Sequence, residues 1–366
     1  MGFLQDLFRG KPKIPRTDVT KRFELICRIG QGSMSRFFKA RDTKSGRIVG
    51  LKLLDGEKTR KFEARFPPEL KKPLEGEVAV TLDHPNIVRT LEWGETLEGD
   101  PFLVMEFLEG VSLSYLIDVQ NEVMRENRLS FIIQLGEGLK YLHENRWIHR
   151  DVCPRNVIVT EPDLVVKLID FGLVVPNTPP FQAPGNRTGT ANYMAPELVR
   201  RQKTNQRIDI YSYAVTCFEM YTRRHPWPEA ASLDAVIQHI NSPPADIAKL
   251  VPEIDPQIAT TIMKGLEAEP ARRWQRVEQM VEQFREALDR QPAAPRQPTA
   301  ATSDLRPAPA EPQPPQTSQA PEPSKSPRQK GAAPQSRRKR GAGASDEDFI
   351  LDILSTPDDP SRGEAR

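Results

Sequence analysis

An α+β architecture of two unequal lobes is what the hydropathy pattern of these 366 residues specifies. Three observations carry it. Short apolar runs of strand type fill the stretch from Phe23 to Met105. From Leu113 onward apolar residues recur at helical spacing. The last 76 residues lose the composition of a folded chain altogether. The expectation is a small β-rich lobe over about 21–108 and a larger α-helical lobe over about 109–290. An amphipathic segment at 1–20 precedes them, and a disordered Pro/Ala/Gln-rich tail at 291–366 follows.

Met1–Gly10 places Phe3, Leu4, Leu7 and Phe8 on one helical face. That face suits peripheral contact with a membrane, a partner, or the chain's own lobes. Gly2 invites N-myristoylation, but Asp6 stands where that signal needs Ser or Thr. Strands are expected at Phe23–Ile29, Arg36–Ala40, Ile48–Leu54 and Phe102–Met105, with a turn at Asp42–Gly46. One helix interrupts them at about Leu74–Leu82, with Pro73 suited to its first turn. Pro67, Pro68, Pro73 and Gly76 crowd its start and predict a short helix. In the second lobe Leu129, Ile132, Ile133, Leu135, Leu139 and Leu142 mark one face of a long helix.

The tail holds 14 of the 35 prolines and a single aromatic, Phe349. It cannot bury enough apolar surface to offset the entropy of ordering. Within it, the basic run Arg337–Arg340 reads as solvated linker. Asp346–Leu354, acidic with five apolar residues, reads as a docking peptide that folds on a partner.

Composition removes several classes of function. Fifty-two basic against fifty acidic residues leave a net charge of +2, which argues against a nucleic-acid partner or an anionic membrane coat. No run of 18 apolar residues exists to span a membrane. Gln5 and Asp6 break the short apolar start, so no signal peptide is expected. Cys27, Cys153 and Cys217 lie too far apart for a disulfide framework or a CxxC metal site, and a cytoplasmic setting is expected.

Several short motifs carry chemistry. Gly30-Gln31-Gly32-Ser33-Met34-Ser35, followed by Phe37, sits between two strand-like runs. Glycines there let backbone amides approach a phosphate, although a plain hairpin turn explains them equally well. Lys52 lies inside the apolar run Val49–Lys52 and needs either a counter-charge or a route to water along its stem. Glu75 on the following helix is the candidate partner. Glu77, two positions on, faces elsewhere. In the loop after the long helix come His149, Arg150 and Asp151, with Asn156 five residues further on. A carboxylate there can accept a hydroxyl proton, and an amide oxygen can hold a hard cation. Asp170, before Phe171-Gly172, ends another apolar run and suits a second metal ligand. Each aspartate alone is more readily a turn or N-cap residue.

In this order and spacing the motifs resemble those of the eukaryotic-like protein kinases, in their bacterial-type Ser/Thr branch. The resemblance covers about Phe23–Leu288. It includes Gly189-Thr190, Ala195-Pro196-Glu197, Asp209 and Pro270–Arg273. It implies a Ser/Thr protein kinase that uses ATP and Mg2+ on a protein substrate. Ile29, Gly30, Gln31, Gly32, Ser33 and Phe37 would cover the nucleotide. Lys52 would contact the phosphates and pair with Glu75, and Met105 would stand beside the adenine. Glu106–Leu108 would be the hinge. Asp151 would act on the attacking hydroxyl, and Asn156 and Asp170 would hold the metal. Glu197, paired with Arg273, and Asp209 would be structural.

The chain departs from that pattern in three places. The third glycine of the loop is Ser35. Cys153 stands where Ser/Thr kinases carry lysine. Arg155 stands where many tyrosine kinases carry arginine, which raises the alternative of dual specificity. Arg155 is the candidate replacement for the missing cation. Thr190 nonetheless matches the Ser/Thr type, where it contacts the catalytic aspartate. A pseudokinase scaffold acting through its tail is the rival from another class, and the intact Lys52, Asp151, Asn156 and Asp170 argue against it. Arg150 in such kinases binds a phosphate on the loop between Asp170 and Glu197, for which Thr178 and Thr188 are the candidates.

Overall fold

The computed structural model describes residues 14–290 except 32, 33, 68, 186, 187 and 229–232. The expected amphipathic helix at Met1–Gly10, the tail at 291–366, and Gly32 and Ser33 lie outside the described residues. Elements are numbered along the chain, strands and helices separately.

The first lobe is a six-stranded sheet of β1 (Arg16–Thr17), β2 (Phe23–Gln31), β3 (Ser35–Asp42), β4 (Ile48–Leu54), β5 (Thr90–Thr96) and β6 (Pro101–Glu106), in the order β1-β5-β6-β4-β3-β2. β1 runs parallel to β5, so this lobe already includes Arg16 and Thr17, upstream of residue 21. Strand alternation divides its core between two faces. On β6, Phe102 and Val104 join Phe23, Ala40, Val49 and Leu51 on one side, and Leu103 and Met105 join the main core on the other. The four expected strands are present, one with identical bounds, one longer by two residues at its end, and two longer by one or two residues at each end.

Beyond the two-residue β1 and the four-residue helix that follows it, two longer elements were not expected. β5 was missed because its centre is Glu92-Trp93-Gly94, a weak strand signature. Gly94 is required there: a β-carbon would stand 2.7 Å from the Pro15 carbonyl oxygen of the crossing N-terminal segment. α2 (Gly56–Glu63) was missed because five of its eight residues are charged and only Phe62 is a large apolar one. Asp55 caps it, its side chain accepting from the Lys58 amide at 3.0 Å. α1 (Val19–Arg22) and α3 (Glu75–Ala79) complete the lobe. The expected helix at Leu74–Leu82 shortens to the five residues of α3. Leu74 is its extended N-cap, so Pro73 lies before the first turn rather than in it.

The second lobe contains α4 (Leu113–Val119), α5 (Glu122–Glu144), α6 (Pro196–Val199), α7 (Arg207–Thr222), α8 (Leu233–His239), α9 (Ile247–Leu250), α10 (Pro256–Gly265) and α11 (Val277–Arg290). All six residues of the expected apolar face of α5 are buried. α7 is buried from Ile208 to Phe218, as a helix apolar on every side must be. A small sheet of β7 (Gly110–Ser112), β9 (Val157–Thr160) and β10 (Val166–Leu168), and a pair of β8 (Trp147–Ile148) with β11 (Val175–Pro176), carry the loops that face the first lobe. Among the described residues no helix is long and apolar enough to cross a membrane.

Candidate active site

β4 sends Val49 and Leu51 to one face of its sheet and Lys52 to the other. Lys52 is 2% exposed, which removes the reading of a lysine that reaches solvent. Its Nζ donates to Glu75 Oε1 at 2.6 Å and to Asp170 Oδ1 at 3.1 Å. Burial alone would push this ammonium's pKa down, but Asp170 and Glu75 outweigh it and hold the pKa above the ordinary lysine value. Glu77 is spent elsewhere, its Oε2 accepting from the Leu74 amide at 2.8 Å. Gly76 lets α3 lie flat on β5: a β-carbon would stand 2.6 Å from Trp93 Cβ and Cγ. The glycine that weakens the helix locally is what seats Glu75.

Asp209, wholly buried in α7, anchors the loop after β8. Its carboxylate accepts from the His149 and Arg150 amides, each at 2.8 Å, and lies 2.9 Å from His143 Nε2. Arg150 takes the left-handed conformation, φ 71°, which is uncommon outside glycine. This turn presents Asp151 to the cleft. Asp151 Oδ1 accepts from the Thr190 amide at 2.8 Å and its hydroxyl at 2.7 Å, and Oδ2 accepts from Asn156 Nδ2 at 2.8 Å. Gly189, at φ 135°, brings Thr190 close; a β-carbon there would meet the Arg150 carbonyl at 2.6 Å.

Cys153 is buried beneath this loop, and burial pushes its thiol up to about 12. Arg155 is exposed, with Nη2 3.4 Å from Thr190 Oγ1. The Asn156 amide nitrogen also donates to the Asp151 carbonyl at 2.9 Å, which leaves its oxygen as the group for a cation. Asp170 offers a carboxylate held below its ordinary pKa: burial raises it, and Lys52 and the Gly172 amide outweigh that. Two hard oxygen donors beside a phosphate site suit Mg2+, which binds few protein ligands and keeps phosphate and water for the rest. The donor set therefore fits the metal that the resemblance implies.

A cavity of about 300 Å3 joins these groups, lined by Phe37, Lys52, Glu75, Asp151, Arg155, Asn156, Asp170 and Thr190. Met105, Glu106 and Leu108 are not in its lining. Met105 is buried, and the Glu106 amide donates to the Arg89 carbonyl at 2.9 Å, so that one hinge amide is engaged. Ile29 is exposed on β2, and Gly30 and Gln31 end that strand. Thr188 is 1% exposed and faces the cavity wall, so as a phosphate acceptor it is closed to an outside enzyme in this arrangement. Thr178 is partly exposed, at the start of a short 3-10 turn. Glu197 and Arg273 form a buried two-pronged pair at 2.7 and 2.6 Å. Lys72 was not anticipated. Its ammonium lines the cavity, donates to the Pro73 carbonyl at 3.2 Å, and is pushed down to about 8 by burial. Nothing in the dipeptide Lys71-Lys72 distinguishes the inward lysine from the outward one.

Residues 23–285 match the protein kinase domain family. A probable serine/threonine-protein kinase of Streptomyces coelicolor is 30% identical over 286 residues, 74% of this chain and 40% of that protein. One from Clostridium perfringens is 32% identical over 266 residues, 71% of this chain and 37% of its own length. The serine/threonine-protein kinase PrkC of Bacillus subtilis is 26% identical over 275 residues, 74% of this chain and 41% of that protein. The chain thus spans about two-fifths of the length of the curated relatives it matches.

Proposed function

The chain belongs to the protein kinase family, and on that premise we propose that it transfers the γ-phosphoryl group of ATP to serine and threonine hydroxyls of a protein substrate, with Mg2+ as the metal. The observation that carries this reading is the single cavity in which the Lys52–Glu75–Asp170 chain faces Asp151, Asn156 and Thr190. Catalysis of this kind is positioning and charge neutralisation with little covalent work by the protein.

Lys52, kept charged by two carboxylates, binds phosphate oxygens. Glu75 fixes where its ammonium points. Asp151, oriented through both oxygens, takes up the proton of the attacking hydroxyl. Asn156 and Asp170 hold Mg2+, which when bound neutralises charge on the phosphates. The Thr190–Asp151 contact and the names of the relatives support Ser/Thr specificity. A cytoplasmic setting agrees with three cysteines that are all unpaired.

The test is transfer of radiolabel from ATP to protein, with phosphoamino-acid analysis of the product. Label on serine and threonine is expected. Asp151→Asn, which keeps the shape and removes the base, should lower the rate by about 10²–10⁴-fold. An unchanged rate in that variant would refute the assignment.

A further inference from the structure

We propose that the acidic–apolar segment Asp346–Leu354 docks in cis on β2, the outermost strand of the first sheet, with its apolar side chains on Leu25 and Ile26 and its carboxylates on Arg28 and Arg36. β2 ends the sheet and pairs only with β3 among the described residues. Every residue from Glu24 to Gly30 is exposed; Leu25 is 54%, Ile26 50% and Ile29 52% open to solvent. A nine-residue edge strand with three exposed large apolar side chains is open to unwanted pairing. Under the kinase reading the nucleotide accounts for Ile29. It does not account for Leu25 and Ile26, which lie toward the far end of the strand.

The register says what kind of partner fits. Leu25 stands opposite Ala40 and Arg28 opposite Phe38, and Arg36, Phe38 and Ala40 alternate onto one face of β3. Leu25, Arg28, Arg36 and the half-buried Phe38 therefore share a face. The register shift between Leu25 and Cys27 leaves Ile26 without a β3 partner, at the rim of that face. Arg28 and Arg36 are exposed, and neither makes an ion pair among the described residues. The surface is an apolar strip bordered by two exposed cations.

Asp346–Leu354 is its complement. In nine residues it has four acids, Asp346, Glu347, Asp348 and Asp352, and five apolar side chains, Phe349, Ile350, Leu351, Ile353 and Leu354. The chain's other apolar segment outside the described residues, Met1–Gly10, runs into Arg9, Lys11 and Lys13, the same sign as Arg28 and Arg36. Between Arg290 and Asp346 lie 55 residues, and a random-coil chain of that length spans about 40 Å root-mean-square. A folded body of this size is about 50 Å across, so the segment reaches either lobe.

The test is hydrogen–deuterium exchange of the full-length chain, read on peptides covering residues 24–30. Phe349→Asp/Ile353→Asp should speed exchange there by about tenfold while the helical lobe is unchanged. Arg28→Glu/Arg36→Glu should do the same, and adding Asp346→Lys/Asp348→Lys to it should restore slow exchange. Equal exchange in the wild type and the Phe349→Asp/Ile353→Asp variant would overturn the proposal. Protection that disappears on dilution would assign the strip to a second copy. Protection lost with Leu7→Asp/Phe8→Asp and kept in the tail variant would assign it to the N-terminal segment. Either result counts equally against it.

Discussion

Cys153 occupies the position from which related enzymes offer a lysine to the transferred phosphoryl group, and its surroundings keep it neutral. Burial, then the nearby Asp151 carboxylate, pushes the thiol to about 12. Of the three thiols only that of Cys27 is exposed. Titration of the native chain with a disulfide reagent at pH 8 should find one fast thiol, and three after denaturation. A cation is still wanted, and the Arg155 guanidinium lies beside the Thr190–Asp151 contact. Arg155→Ala should lower kcat by about 10²-fold with little change in the KM for ATP, the pattern of a contact made in the transition state; Cys153→Ala should be nearly silent. Lys72 gives a pH signature. Its folded-state pKa of about 8 lies below the ordinary 10.5. Below pH 8 the folded chain therefore carries a poorly solvated ammonium, and between 8 and 10.5 it sheds that proton before the unfolded chain does. Stability should rise across that window. Lys72→Met should be more stable than wild type by about 1–2 kcal/mol at pH 7, discounted for partial exposure, and the gap should close by pH 10.5 in chemical denaturation.

At the scale of elements, α3 is the part most sensitive to small changes. It has five residues, too few to be stable by hydrogen bonding alone. It is held by the Leu74–Glu77 cap, by the Lys52–Glu75 pair and by the close approach of Gly76 to Trp93. By helix propensity Gly76→Ala should help; by packing it should harm, because Trp93 is backed by the sheet. The clash is with the root of that side chain, not its flexible end, so packing should win. Gly76→Ala is expected to cost about 1–3 kcal/mol and to reduce phosphoryl transfer by displacing Glu75. A higher melting temperature with full activity would show that α3 can move away freely.

For the whole molecule, the pair of Glu197 and Arg273 joins distant parts of the helical lobe. Arg273 is 1% exposed and also donates to the Glu267, Ala268 and Arg207 carbonyls at 2.6, 2.9 and 3.1 Å. It thereby ties the chain after α10 to α6 and the start of α7, the helix whose Asp209 supports the loop of Asp151. Arg273→Ala strands a buried carboxylate and three carbonyls, and should cost about 3–5 kcal/mol in urea denaturation. Combining it with Glu197→Ala should cost less than the sum of the two single losses, since both remove the same contact.

What could be read locally was what one stretch of chain decides for itself. The apolar face of α5, the four sheet strands, and the choice of Glu75 over Glu77 follow from spacing, because periodicity records which side of an element meets the core. The candidate site residues that line the cavity could be picked out in sequence because their residue types are chemically constrained and stand in a fixed order. Tertiary structure alone decided the rest. β5 is made a strand by its neighbours β1 and β6 despite Gly94, and α2 forms from a charged stretch with little apolar signal. Thr188 faces the cavity and Lys72 turns inward because chain remote in sequence closes over them. Burial at such positions depends on segments far apart along the chain, and no local pattern of residue types contains that information.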